Sequence, residues 1–416
     1  MKRWDKASLW LRACALRVRR LQGVAVSSRA NGATTATWPE ARSRLSGLLE
    51  LAVRGLPAMV RTNGTDVVQT VRAARTVGGV VLRPEGQNLR YAAICALGLA
   101  RTSDAEQRHA LRGRSAAELA STLATRAADD ADPGAVALAA WATAEVLGEP
   151  ADELLAQLVA RLKSGQPAAT VNTAWALTCA IASTSRRAEE LIELTANRLL
   201  AAQGAAGIFP HALPPESLGR WRAHVGCFAD QVYPIQALAR LAAATGDAGA
   251  LEAANACAAR ICALQGPAGQ WWWHYDSRDG TVVEGYPVYS VHQHAMAPMA
   301  LLELAEVGGV AHHAEIAAGL RWLETHPEVL PELVNDRLGV VWRKVGRREP
   351  PKAARSLSAV TTSLAPGFRL PGLDRVFPPD RIDYECRPYE LGWLLYAWLP
   401  DRVGRTDDGG KEPRDD

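Results

Sequence analysis

Residues 88–100 read NLRYAAICALGLA, residues 172–182 read NTAWALTCAIA, residues 230–242 read DQVYPIQALARLA and residues 294–305 read HAMAPMALLELA. Each segment opens on a polar residue, Asn88, Asn172, Asp230 or His294. Three positions later stands Tyr91, Trp175, Tyr233 or Ala297, and an alanine-rich apolar run follows. This spacing sets the polar group and the aromatic on one side of a helix start. Pro234 and Pro298 occupy matching places, where the first turn of a helix tolerates proline. Asn and Asp are also favoured caps, so the first three polar residues can be read as caps alone. His294 caps poorly, and its presence in that slot points to another use.

Working outward, the helical period of apolar residues continues on both sides of these repeats. It predicts helices near 41–60, 88–101, 115–128, 134–148, 150–163, 171–184, 187–203, 230–245, 248–264, 294–307, 313–325 and 388–399, which make six hairpins. The second helix of several pairs carries the repeated start. The connections at 61–87, 204–229, 265–293 and 326–387 are long, and all precede a second-member helix. In a ring of hairpins they share one rim, and long loops gathered on a rigid scaffold are where function concentrates. Strand-like alternation is almost absent. One short β-ribbon is expected, with Trp271 to Tyr275 and Thr281 to Val283 joined at Asp279-Gly280.

A chain of 416 residues that is 48% hydrophobic can bury a large core. The formal charge of +3 is spread over many Arg and Glu residues and gives no argument for nucleic acid. Seven cysteines without CxxC spacing read as reduced thiols and point to a cytoplasmic protein. Residues 1–40 form a basic extension, read as a frayed helix or as one that touches a membrane surface or a partner. Residues 401–416 read as a disordered charged tail. Between them, 41–400 read as one domain, and no segment reaches the roughly 18 apolar residues of a membrane span.

Six hairpins with a repeated inner-helix start resemble the (α/α)6 toroids, an all-α architecture. These comprise the six-hairpin sugar enzymes (glycosidases, polysaccharide lyases and sugar epimerases) and the terpenoid cyclases with the protein prenyltransferases. Gln265-Gly-Pro-Ala-Gly269-Gln-Trp271 is similar to the Q-x-x-x-G-x-W repeat of triterpene cyclases, and Gln203 to Phe209 is a degenerate second copy. In those proteins the repeat ties outer helices to loops, which implies a scaffold role here. The D-x-D-D acid of the cyclases is missing; Asp129-Asp130-Ala-Asp132 is the nearest run and reads as a cap. The Asp, Cys, His zinc ligands of prenyltransferases are not recognisable in their usual order. Trp272 to Gly280 resembles the W-x-x-x-D-x-x-x-G turn of the six-hairpin sugar enzymes, which implies a carbohydrate substrate.

The stretch from Gln265 to Glu306 holds the densest set of aromatic, imidazole and carboxylate groups. Aromatic walls with sparse polar groups suit a sugar or another small molecule. A lyase or epimerase acting on a uronate needs a base for the C5 proton, an acid and a partner for the carboxylate. His292 or His294 can be the base, Tyr289, Tyr233 or Tyr91 the acid, and Arg90 or Arg278 the guanidinium that grips a carboxylate at two points. A hydrolase instead needs paired carboxylates, for which Asp230, Glu284, Asp276, Glu385 and Glu390 are candidates. The catalytic set is therefore His292, His294, Tyr289, Tyr233, Asp230 and Glu284. The substrate-binding set is Arg90, Tyr91, Trp272, Trp273, His274, Tyr286, Glu385, Tyr389 and Glu390. His211, His224, Trp221 and Arg222 rank lower.

Two histidines two apart on a helix point about 200° away from each other, so His292 and His294 can share an ion only where the segment is extended, and no Cys or third His stands nearby. No metal is expected. No Gly-rich phosphate loop or nucleophile elbow occurs, and no cofactor is expected. The first reading is a carbohydrate-active lyase, epimerase or hydrolase. The rivals are a prenyl-substrate enzyme and a non-catalytic toroid that binds glycan or protein.

Overall fold

The computed structural model describes residues 41–400, so the readings of 1–40 and 401–416 lie outside the described residues. The helices are α1 (Ala41–Gly55), α2 (Leu89–Leu99), α3 (Asp104–Ala110), α4 (Ala116–Ala127), α5 (Pro133–Ala142), α6 (Asp152–Lys163), α7 (Thr170–Ala182) and α8 (Ala188–Ala202). They continue as α9 (Ala229–Thr245), α10 (Ala248–Ala263), α11 (Ala297–Glu306), α12 (His313–Thr325), α13 (Ala353–Leu364), α14 (Leu373–Val376) and α15 (Pro388–Trp398). Helices α2, α5, α7, α9, α11 and α15 pack in that order, and α15 returns against α2 to close a ring. An outer helix, α1, α4, α6, α8, α10 or α12, backs each one. This is the expected (α/α)6 toroid.

Composition explains the two layers. Inner helix α5 is buried from Gly134 through Ala142, so small apolar residues on every side let it meet neighbours all round. Outer helix α4 buries a stripe of Ala116, Leu119, Ala120, Leu123 and Ala127 and leaves its other face partly or fully exposed, starting at a Ser115/Glu118 capping box. The ring closes through a backbone contact at Gly98 and Gly392. A Cβ on Gly98 would lie 2.2 Å from the Gly392 carbonyl oxygen.

The Q-x-x-x-G segments are scaffold. The Gln265 amide donates to the carbonyls of Gly269 and of Glu315 in α12, each at 2.8 Å. Gln203 repeats this with Gly207 and with Ala253 in α10. Gly269 has φ +93°, and a Cβ there would lie 2.1 Å from the Ala318 carbonyl oxygen. Gly269→Ala is therefore expected to destabilise the protein by about 2–3 kcal/mol, read as a lower urea midpoint at unchanged slope.

Every strand lies in a connection entering an inner helix, which places them all on one rim. The expectation of a single ribbon is corrected: among the described residues there are five small sheets. Most of their strands are two or three residues long, too short to show alternation in sequence. The expected ribbon is narrower, His274–Asp276 with Val282–Glu284, and gains a third strand, Val225–Cys227. A hairpin, Thr70–Thr76 with Gly79–Glu85, pairs its first strand with Glu385–Cys386. Helices α3, α13 and α14 were not foreseen.

The capping reading splits. Asn88 caps α2 by accepting from the Tyr91 amide at 3.0 Å, and Asp132 caps α5. Asn172 lies inside α7 and caps nothing; its buried Oδ1 has no partner. Asp230 sits in the first turn of α9, but its carboxylate turns back to the Cys227 amide and to His211. His294 falls in a π-helical turn, His292–Met296, which precedes α11.

Candidate functional site

The rim sheets bring one group of side chains together above α9, α11 and α15. Trp273, released from strand geometry just before His274, places its ring 4.7 Å from Tyr289 and nearly parallel to His292 at 5.9 Å. Tyr289 ends the strand Val288–Tyr289, which pairs with Lys344–Gly346, so Lys344 stands opposite Tyr289. Arg343, the residue before that strand, sets its guanidinium 5.0 Å from the Tyr289 ring centre. The strand also pairs with Arg381–Asp383, and Lys344 bonds Asp383 at 3.0 Å.

Arg343 continues into a second group. Its guanidinium and those of Arg72 and Arg387 converge on Glu385, which is 1% exposed. Arg387 also donates to the Tyr91 hydroxyl at 2.9 Å, and Tyr91 packs on Tyr389 at 4.7 Å. Burial opposes the Arg343 charge, but Tyr289, Tyr389, Glu390 and Glu385 together hold its pKa above the ordinary value. Burial pushes the Glu390 carboxyl up to about 8, against the pull of Arg343.

Burial, with Arg343 and His294 adding to it, holds the His292 pKa well below the imidazole range. Burial raises the Tyr289 phenol, while Arg343 and Arg387 draw it back. At neutral pH the pair therefore stands as neutral imidazole and neutral phenol, their ring centres 5.0 Å apart. Tyr289 and His292 can serve as acid and base without first changing protonation state.

Two buried ring nitrogens of this cluster, Trp273 Nε1 and His292 Nδ1, have no hydrogen-bond partner, while Arg343 Nε faces Glu390 Oε1 at 3.7 Å. Most buried polar atoms in proteins are satisfied, so these two nitrogens are available to a polar group that enters the cluster.

Other expected site residues are placed elsewhere. His294 is fully buried with both ring nitrogens unpartnered, and its carbonyl accepts from Trp398 at 2.7 Å, so it belongs to the interior. Tyr233 lies deeper, its hydroxyl accepting from Trp393 at 2.9 Å and its ring against Trp175. Arg90 is paired with Asp132 and stacked near Trp175. Glu284 is held by Arg347 at 2.8 Å and by Ser358, beside a cavity of about 670 Å³ lined by Arg347, Arg369 and Arg375. Trp272 packs on Tyr286, whose hydroxyl donates to Glu328. Asp276 pairs with Arg278 at 2.7 Å.

Sequence reasoning missed Arg343 and Lys344, which sit in the long connection 326–387 where no strand is expected. Their signal was the short apolar run Gly339-Val-Val-Trp342 before them. It also missed His211, Cys227 and Asp230 as a group. Their ligand atoms lie within 4.8 Å of one another, so the structure brings together a metal-type donor set where none was expected. His211 Nδ1 stands 2.8 Å from Asp230, which raises the imidazole pKa.

The interior histidine has a consequence for stability. Burial lowers the His294 pKa from 6.5 to about 3, so below pH 6.5 the unfolded chain takes up the proton first. Its contribution is complete above pH 6.5 and is lost progressively as the pH falls toward about 3. The stability lost between pH 7 and pH 5 is therefore expected to be about 2 kcal/mol smaller in His294→Leu than in the parent, measured by urea unfolding.

No protein-family model and no curated protein sequence matches this chain. Solved structures do. An unsaturated glucuronyl hydrolase specific for heparin superposes with TM-score 0.54 at 14% identity, covering 87% of this chain and 97% of that one. A possible member of the GH105 family from Salmonella enterica serovar Paratyphi A gives TM-score 0.52 at 10% identity, covering 86% and 93%. A UGL variant with dGlcA-Glc-Rha-Glc gives TM-score 0.50 at 14% identity, covering 86% and 96%. At these identities the likeness is one of fold, and the fold is that of the six-hairpin, glycosidase-like (α/α)6 toroids.

Proposed function

We propose that this protein is a carbohydrate-active enzyme that acts on a uronate residue by removing the proton at C5. The observation that carries the reading is the cluster of Arg343, Tyr289, His292 and Trp273, with unpartnered buried polar atoms among them. Arg343 and Arg387 neutralise the uronate carboxylate, which lowers the cost of a carbanion at the adjacent carbon. Neutral His292 takes the C5 proton and Tyr289 supplies one to the leaving oxygen or to the opposite face. Trp273 offers a stacking surface for the sugar ring. The glucuronyl hydrolase that shares the fold acts on a sugar acid, which agrees with an anionic substrate. A prenyl chain would leave the polar atoms of this cluster unpaired, which speaks against the terpenoid reading.

The test incubates the full chain with saturated and unsaturated uronate oligosaccharides in deuterated water. An unsaturated product, or deuterium at C5, supports the proposal. Shortened chains without either assign a hydrolase and remove the roles given to His292 and Tyr289. Neither product nor saturable binding with any uronate sinks the carbohydrate reading as well.

A further inference from the structure

We infer that His211, Cys227 and Asp230, with His274 as the fourth donor, form a zinc site on the rim. This goes beyond the uronate reading and does not rest on it. Two stretches of the chain supply the three ligands. His211 comes from the long connection before α9, and Cys227 ends the strand Val225–Cys227. Asp230 lies three residues later in the first turn of α9. The three ligand atoms fall within 4.8 Å of one another, a spread that small side-chain adjustments close around an ion with bonds of about 2.0–2.3 Å.

Two further observations point to a ligand. Asp230 is fully buried, and while Oδ2 takes His211 and the Cys227 amide, Oδ1 has no partner. His274 is 6% exposed, with its Nδ1 unpartnered. It is the direct register partner of Cys227 in the antiparallel ladder, so the two side chains rise from the same face of the sheet. Its ring nitrogens stand outside the 4.8 Å group, so His274 joins as the fourth ligand by turning its ring toward the ion. A half-exposed His211 gives an ion a way in.

The donor chemistry selects the metal. A thiolate with imidazole and one carboxylate suits zinc, whereas calcium and magnesium take oxygen donors. Binding converts the Cys227 thiol to thiolate and releases its proton to solvent; no electron transfer is involved. A plain His211–Asp230 hydrogen bond would account for two of these residues but not for the thiol or for His274.

The test uses the full-length protein, stripped with chelator and titrated with zinc, and then with Co²⁺ as a spectroscopic probe. One zinc per chain is expected, and the cobalt form should show a thiolate-to-cobalt charge-transfer band. Cys227→Ser should lose that band, and Cys227→Ser and His211→Ala should each weaken zinc at least about a hundredfold. His274→Gln should weaken it by about ten- to a hundredfold. Tyr289→Phe should bind zinc as the parent does, which separates this site from the proposed uronate chemistry. Absence of the charge-transfer band in the folded parent, substoichiometric zinc, or parent-like affinity in Cys227→Ser overturns the site. Parent-like affinity in His274→Gln overturns the fourth ligand. Because the cobalt spectrum is taken on the parent, the inference can fail even where a variant does not fold.

Discussion

Tyr289→Phe is expected to lower kcat on a uronate oligosaccharide by about 10²–10⁴-fold while leaving the unfolding midpoint within about 0.5 kcal/mol of the parent. The ring would keep its contacts with Trp273, His292 and the Arg343 guanidinium, all of which are made by its faces and edge. Only the hydroxyl is lost, and it makes no hydrogen bond to any described residue. A loss confined to kcat would therefore report a proton transfer and not a collapse of the wall. His292→Gln should give a loss of similar size, since removing either member of an acid–base pair blocks the same step. Arg343→Lys should act differently. Lysine keeps a charge but cannot grip a carboxylate at two points, so KM should rise along with a fall in kcat. Steady-state kinetics on all three variants checks the set. Unchanged kcat in Tyr289→Phe and His292→Gln removes both residues from the chemistry.

Glu385→Ala is expected to destabilise the protein by about 3–5 kcal/mol, measured by urea unfolding. Glu385 is 1% exposed and takes the guanidinia of Arg72, Arg343 and Arg387 together. Deleting a buried partner costs more than the pair is worth, because the charges left behind lose their nearest counter-ion without regaining water; Arg343 then keeps only Glu390 and Asp383, at 3.7 and 3.8 Å. Arg343 is the guanidinium most affected, being the least exposed of the three. Glu385→Gln keeps an acceptor and should lose about half as much. Both variants should also lose uronate turnover, since Glu385 fixes the clamp that Arg343 and Arg387 present. On this account Glu385, expected from sequence to bind substrate, is a positioning residue whose oxygens are already taken.

The two predictions rest on residues of very different legibility. Tyr289 and His292 stood out because aromatic and imidazole groups crowd one short stretch, and crowding is visible in one dimension. Arg343 did not, because it reaches the site through a short three-stranded sheet that joins Val288–Tyr289, Lys344–Gly346 and Arg381–Asp383. Strands of two or three residues have no period to detect. His294 was legible as an odd occupant of a repeated slot, but the π turn before α11 sends its ring to the interior. Sequence also ranked Glu284 as a catalytic candidate, whereas Arg347, from a distant connection, holds its carboxylate.

The chain by itself determined the toroid. Twelve helices, their order, and the gathering of long connections at one rim follow from apolar period and from the repeated helix starts, because helix formation and amphipathic burial are local properties. The Gln265 and Gln203 ties were readable for the same reason, being short motifs with one mechanical purpose. Only the tertiary structure decided which polar groups meet. It turned Asp230 from a cap toward His211 and Cys227, set His274 across the ladder from Cys227, and carried Arg343 to Tyr289. Those pairings depend on how distant rim loops fold over a closed ring, and the distances that govern charge, hydrogen bonding and metal ligation are not encoded in the spacing of residues along the chain.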